Sequence, residues 1–182
     1  MSMPLVGQAG AFNGSQLRMV AAASSRAAAL VSGYYRVSPR EWHRMPYEVR
    51  TRRSLASSEV TDAALAQTIC YGFRTQVGET VVAQGDLFRI CLQDNVILDA
   101  AEEARCGSAG FRSLLTHVLT HELVHVVRFG QLMQNVDLPI ELRLEEEMKV
   151  ERATRAILAS QHAKASFRCF PVTHLRDAFE SS

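Results

Sequence analysis

Lysine is nearly missing from this 182-residue chain, standing only at Lys149 and Lys164, so that arginine carries almost all the positive charge. With 20 basic against 19 acidic residues the formal net charge is +1, which gives no general attraction to nucleic acid or to an anionic membrane. Cysteine is sparse as well. Cys70, Cys91, Cys106 and Cys169 are scattered with no CxxC pair, which argues against a cysteine-type zinc module, and a chain of this length needs no disulfide framework. No apolar run approaches the roughly 20 residues of a membrane span. The most apolar N-terminal stretch, MVAAASSRAAALV, is interrupted by two serines and Arg26 and is not a secretory core. The expectation is a soluble, cytoplasmic protein. Acids are also absent before Glu41, while Arg18, Arg26, Arg36 and Arg40 precede it, a composition shared by organellar transit peptides and by ordinary alanine-rich helices.

What the chain does have is concentrated in FRSLLTHVLTHELVHVVRFG, from Phe111 to Gly130. Leu114, Leu115, Val118, Leu119, Leu123, Val124, Val126 and Val127 wrap almost all round a helix, the pattern of a buried central helix, and Gly130 reads as its stop. His117, His121 and His125 fall on one polar stripe with Glu122 beside it, and a polar stripe on a buried helix must be satisfied by something. Residues four apart stack one above the other, so His121 and His125 can grip one metal ion with Glu122 alongside as a proton acceptor. About one chain in seventy of this composition would carry HExxH by chance. The competing reading is a pair of core histidines bonded to carbonyls.

His121-Glu122-Leu123-Val124-His125 resembles the motif of the zincin metallopeptidases, and with its flanks the resemblance covers residues 78 to 160. The metzincin branch continues with a glycine and a third histidine where this chain has Arg128 and Gln131, so that branch does not fit. The gluzincin branch takes its third ligand, a glutamate, from a following helix, and a small, minigluzincin-like member is the closer likeness. The resemblance implies an α+β zincin-like fold, a small sheet before the motif helix with its edge strand along the cleft, Zn2+ as cofactor, Glu122 as general base, and a peptide or protein substrate. An edge strand offers unpaired backbone groups to an extended peptide.

Four glutamates compete for the third ligand. The apolar residues Leu144, Met148, Val150, Ala153, Ile157 and Leu158 centre the inward face of the second long helix on Thr154, with Glu147 about 20° away, Glu151 about 60°, Glu146 about 80°, and Glu145 toward solvent. Glu147 is therefore the expected ligand, and Glu145 and Glu146 are read as a solvated acidic face. Twenty-one residues separate His125 from Glu147, which resembles the gluzincin pattern. That pattern also places an acid four residues on to hold a zinc-bound histidine by its second ring nitrogen, and Glu151 stands there where families more often have aspartate. His117 cannot reach the same tetrahedral ion as the other two histidines, because three successive positions on one helix diverge along its axis, and it is read as a core or supporting residue. Arg128 either steadies a carboxylate near the site or is solvated. Tyr34, Tyr35, His162 and His174 are candidate oxyanion donors that spacing does not separate, and His43 has the same status.

Along the chain, residues 1–36 read as a leader, unstructured to Ser15, followed by a helix over 16–32 that packs on the domain or stands apart from it. Residues 37–182 read as the zincin-like domain. Tyr34 to Val37 is a linker, and Ser38-Pro39 with Glu41 opens a helix carrying Trp42 that ends at Met45-Pro46. A helix is expected from Thr61 to Tyr71, then strands at Thr80–Ala83 and Leu87–Leu92 joined by a turn at Gln84-Gly85-Asp86. Asp94 to Leu98 reads as a third strand or a loop, with Asp99 capping a short helix to Arg105. The second long helix is expected from an Asp137 cap with Pro139 in its first turn to Ala163, and residues 166–182 as a piece packing back on the domain. A zinc-binding regulatory protein that hydrolyses nothing, and a hydrolase of non-peptide amides, are the rival readings. Oligomeric state is left open.

Overall fold

The computed structural model describes residues 10–77, 80–131 and 140–160. The fold is α+β: a small mixed sheet of three strands precedes a long helix that packs against helices from both ends of the chain.

Helix α1 (Gly14–Tyr35) begins two residues earlier than its periodicity indicates, because Asn13 and Gln16 form a reciprocal capping box. Its buried residues Val20, Ala23, Ala27 and Val31 recur every three or four positions and share one core with the motif helix, the alanines allowing a close approach. The linker expected at Tyr34 is instead the last turn of this helix, which Arg36 ends in the left-handed region at φ 56°. Nor is the stretch before Ser15 unstructured throughout. Phe12 is fully buried edge-on against Phe111, and its N–H donates to Asp94 at 2.8 Å. Helix α2 (Pro39–Arg44) has the Ser38 and Glu41 capping box and ends at Met45 as expected.

The sheet has the order β1-β3-β2, with β1 (Tyr47–Arg50) parallel and β2 (Ala66–Val77) antiparallel to the central β3 (Thr80–Leu92). The helix expected at Thr61–Tyr71 is thus largely strand. Leu65, Ile69 and Phe73 have helical spacing, but Ala66, Thr68 and Cys70 face Leu92, Ile90 and Phe88 across the ladder, and that pairing overrides local period. The expected turn at Gly85 is likewise ladder: β3 is one continuous strand in which Gly85 pairs with Phe73. By the two-residue alternation of strands, Phe88, Ile90 and Leu92 point to the helices while Arg89 points outward. Two short 3-10 turns, Arg52–Ser54 and Ser57–Glu59, join β1 to β2.

Helix α3 (Asp94–Glu103) replaces the expected strand or loop, and Asp99 lies inside it rather than capping it. Asp94 is fully buried and accepts the N–H groups of Phe12 and Arg52, so it anchors two distant segments at the end of β3. Helix α4 (Ser108–Gln131) carries the motif and buries Leu115, Leu119, Leu123 and Val124 completely, each worth about 1.5–3 kcal/mol of transfer free energy. Gly130 does not stop it. A β-carbon there would collide with the buried Met45, so glycine serves close approach between α4 and the end of α2. Helix α5 (Ile140–Ala159) packs on α4 through Val150, Ala153, Thr154 and Ile157. The expected Asp137 cap, Pro139 and the helix end at Ala163, together with His162, His174 and residues 166–182, lie outside the described residues.

Candidate metal centre

Two turns of α4 and one of α5 make the site. The i, i+4 spacing stacks His121 and His125 on the α4 face that meets α5, with ring centroids 5.0 Å apart, and Phe129 lies flat against His125 at 5.4 Å. Glu147 reaches between the two rings from α5. Its Oε1 is 2.8 Å from His121 Nε2, its Oε2 is 3.2 Å from His125 Nε2, and the two Nε2 atoms are 3.3 Å apart. Among the described residues, these three side chains form the group that could hold a metal ion.

The donor spacing is compatible with a tetrahedral ion such as zinc. Ligand bonds of about 2.0–2.1 Å to a tetrahedral ion hold the donors about 3.3–3.4 Å apart, close to the spacing of the two imidazole nitrogens and of His125 and Glu147. The Nδ1 of His125 is buried and meets no hydrogen-bond partner among the described residues, so no carbonyl holds this ring in place. Core histidines bonded to carbonyls are therefore the poorer account of this helix face.

The electrostatics ask for a cation. Burial opposes charging of the His121 imidazole, yet the hydrogen bond to Glu147, the Glu151 carboxylate and the charge of Glu122 outweigh it and raise its pKa to about 10. Burial likewise opposes ionisation of Glu147, and the two imidazoles overcome it and hold that carboxyl well below the usual range. Glu151 stands 3.6 Å from His121 Nδ1, on the ring nitrogen that faces away from the cluster, and its other oxygen accepts from Arg155 at 2.6 Å. Its ionised form, too, is favoured against burial by His121 and Arg155. His117 is half-buried one turn before the cluster and contributes no atom to it; burial lowers its pKa.

Glu122 is 6 % exposed, and its Oε2 accepts a hydrogen bond of 2.8 Å from the Thr68 hydroxyl on β2. The helical spacing of its stretch hides Thr68 in the sequence; the signal for it is the strand alternation Ala66, Thr68, Cys70. The acidic run also needs correction. Glu146 is not solvated but 4 % exposed, gripped by both ends of the Arg128 fork, which lies one turn beyond His125. Arg128 holds the Glu146 carboxyl below its ordinary value and also hydrogen-bonds Tyr35, whose own pKa burial raises. Leu144 and Met148, assigned to the inward face, are each 56 % exposed. The true inward face of α5 is rotated toward Glu146, and Glu147 stays on it.

Tyr34 is half exposed and packs edge-on against Tyr35, and the Nδ1–H of His43 donates to the Pro39 carbonyl on the surface of α2. Among the described residues no helix is long and apolar enough to cross a membrane. Comparison of the chain with protein-family models, with characterised proteins and with solved structures finds no match to any of them.

Proposed function

We propose that the chain is a zinc-dependent metallopeptidase of gluzincin type that hydrolyses peptide bonds. The observation that carries this reading is the convergence of His121, His125 and Glu147 from two helices with the Glu122 carboxylate on the same helical turn. Zinc, when bound there, supplies a Lewis acid that acidifies a water toward neutral pH. His121 and His125 bind it as neutral imidazoles through Nε2, and Glu147 adds the single negative charge. Glu151 turns and steadies the His121 ring from its far nitrogen. Glu122 accepts the proton of the water attacking a peptide carbonyl and delivers it to the departing amine nitrogen. A zinc site that is only structural has no use for a carboxylate in this place and usually closes its fourth position with protein.

The test is Glu122→Gln, which removes the base and keeps the ligands. Purified wild type is expected to hold about one zinc per chain and to cleave members of a broad peptide library. The variant should hold the same zinc and melt at the same temperature while losing hydrolysis by a factor of about a hundred to ten thousand. A wild-type chain that binds zinc and cleaves nothing gives way to the regulatory reading.

A further inference from the structure

We propose that Thr68 is the positioning residue of the base: its hydroxyl, fixed on the edge strand of the sheet, holds the Glu122 carboxylate in the orientation in which it meets its proton. The inference rests on the peptidase reading above and adds to it a residue from outside the two ligand-bearing helices.

A threonine hydroxyl has one hydrogen to give, and a carboxylate can only accept it. At 2.8 Å from Glu122 Oε2 that hydrogen makes a charge-assisted bond, with the main-chain carbonyl of Glu122 a longer second acceptor at 3.3 Å. The free rotations of a glutamate side chain are thereby cut to the set that keeps Oε2 on β2. The other oxygen is left for chemistry. The anchor is itself stiff: Thr68 is β-branched, and its backbone is registered against Ile90, a fully buried residue of the central strand. A base attached only to its own helix would need no such partner. Serine can give the same hydrogen, whereas valine keeps the shape and the strand preference and removes it.

The experiment uses the full chain loaded with zinc, and compares Thr68→Val, Thr68→Ala and Thr68→Ser. Three quantities are read: zinc affinity by chelator competition, kcat and KM on a cleaved peptide, and the affinity of acetohydroxamic acid, a small zinc chelator whose hydroxyl also bonds the base. With the hydroxyl removed, kcat should fall about tenfold with KM and zinc affinity unchanged, and hydroxamate should bind several-fold more weakly. Thr68→Ser should restore all of these to near wild type. Wild-type kcat and hydroxamate affinity in both Val and Ala variants would overturn the proposal, and so would loss of zinc, since Thr68 would then act on the ligands. If wild type holds zinc but cleaves nothing, the peptidase reading falls alone, and the hydroxamate affinities decide the role of Thr68.

Discussion

Two polar clusters flank the sheet, and they differ in where their lone pairs point. On the outer face the buried Glu59 carboxylate receives the Tyr71 hydroxyl at 2.6 Å, Arg89 at 2.6 Å and the Ala56 N–H at 2.7 Å. Its main-chain carbonyl receives the side-chain amides of Gln67 and Gln93, Gln93 receives the Thr61 N–H, and Asp94 next to it receives two more backbone donors. Each of these acceptors faces a donor. On the helix face two imidazole nitrogens and a carboxylate turn toward one point and have mainly one another as partners, and His125 Nδ1 meets no partner among the described residues. Buried polarity is common to both, so it does not distinguish them. Convergence of three potential ligand atoms does, because one cation can satisfy all of them at once.

The sharpest way to break this contrast is to remove the carboxylate from the converging side. Glu147→Ala should abolish nearly all zinc affinity, read by metal analysis, and chelator should lower the melting temperature of wild type but not of the variant. Next in size is the supporting carboxylate. Glu151→Ala should weaken zinc binding about ten- to a hundredfold, and if it strips the metal while Glu147→Ala retains it, the two roles are exchanged.

The outer cluster should answer in stability alone. Glu59→Ala leaves the Ala56 N–H and the Tyr71 hydroxyl without their acceptor and should cost about 1–3 kcal/mol in denaturant unfolding with zinc affinity unchanged. Its pH dependence follows from sign. The Tyr71 hydroxyl, the Ala56 N–H and Arg89 lower the Glu59 pKa to about 2 from an ordinary 4.5. A depressed carboxylate contributes stability above its unfolded value and loses it as pH falls toward the folded one. Wild type should thus lose more stability than Glu59→Gln between pH 5 and pH 2; equal slopes would show that the cluster is not the acid-sensitive part. The smallest effect is expected at Glu145, exposed on α5. Glu145→Ala should stay within about 0.5 kcal/mol and leave zinc binding alone.

The converging side was legible because its signals are local. The two histidines and Glu122 lie within five residues, the apolar wrap of α4 marks burial, and Glu147 is inward on α5 even when the face is drawn too far toward Leu144. What could not be read was set by partners distant in sequence. Thr68 and Glu122 are 54 residues apart, Arg128 and Glu146 are 18, and nothing near Glu146 distinguishes it from the solvated Glu145. The stretch before Tyr71 carries helical spacing and becomes strand only because β3 is there to pair with it. The outer cluster escaped notice for the same reason: Glu59, Gln93 and Asp94 are ordinary polar residues until three loops close on them.

The contact between Gly130 and Met45 bears on how this sequence can change. A β-carbon at position 130 would occupy the space of the Met45 side chain, which is 3 % exposed and packed at the end of α2. Position 130 can therefore gain no side chain while Met45 stays in place. An alanine at 130 is viable when residue 45 has already become smaller, so the two are expected to exchange as a pair in any population of variants selected for a folded chain. Position 130 lies five residues after the second histidine. The history of the histidine-bearing helix is in that way tied to a six-residue helix that contributes no atom to the cluster.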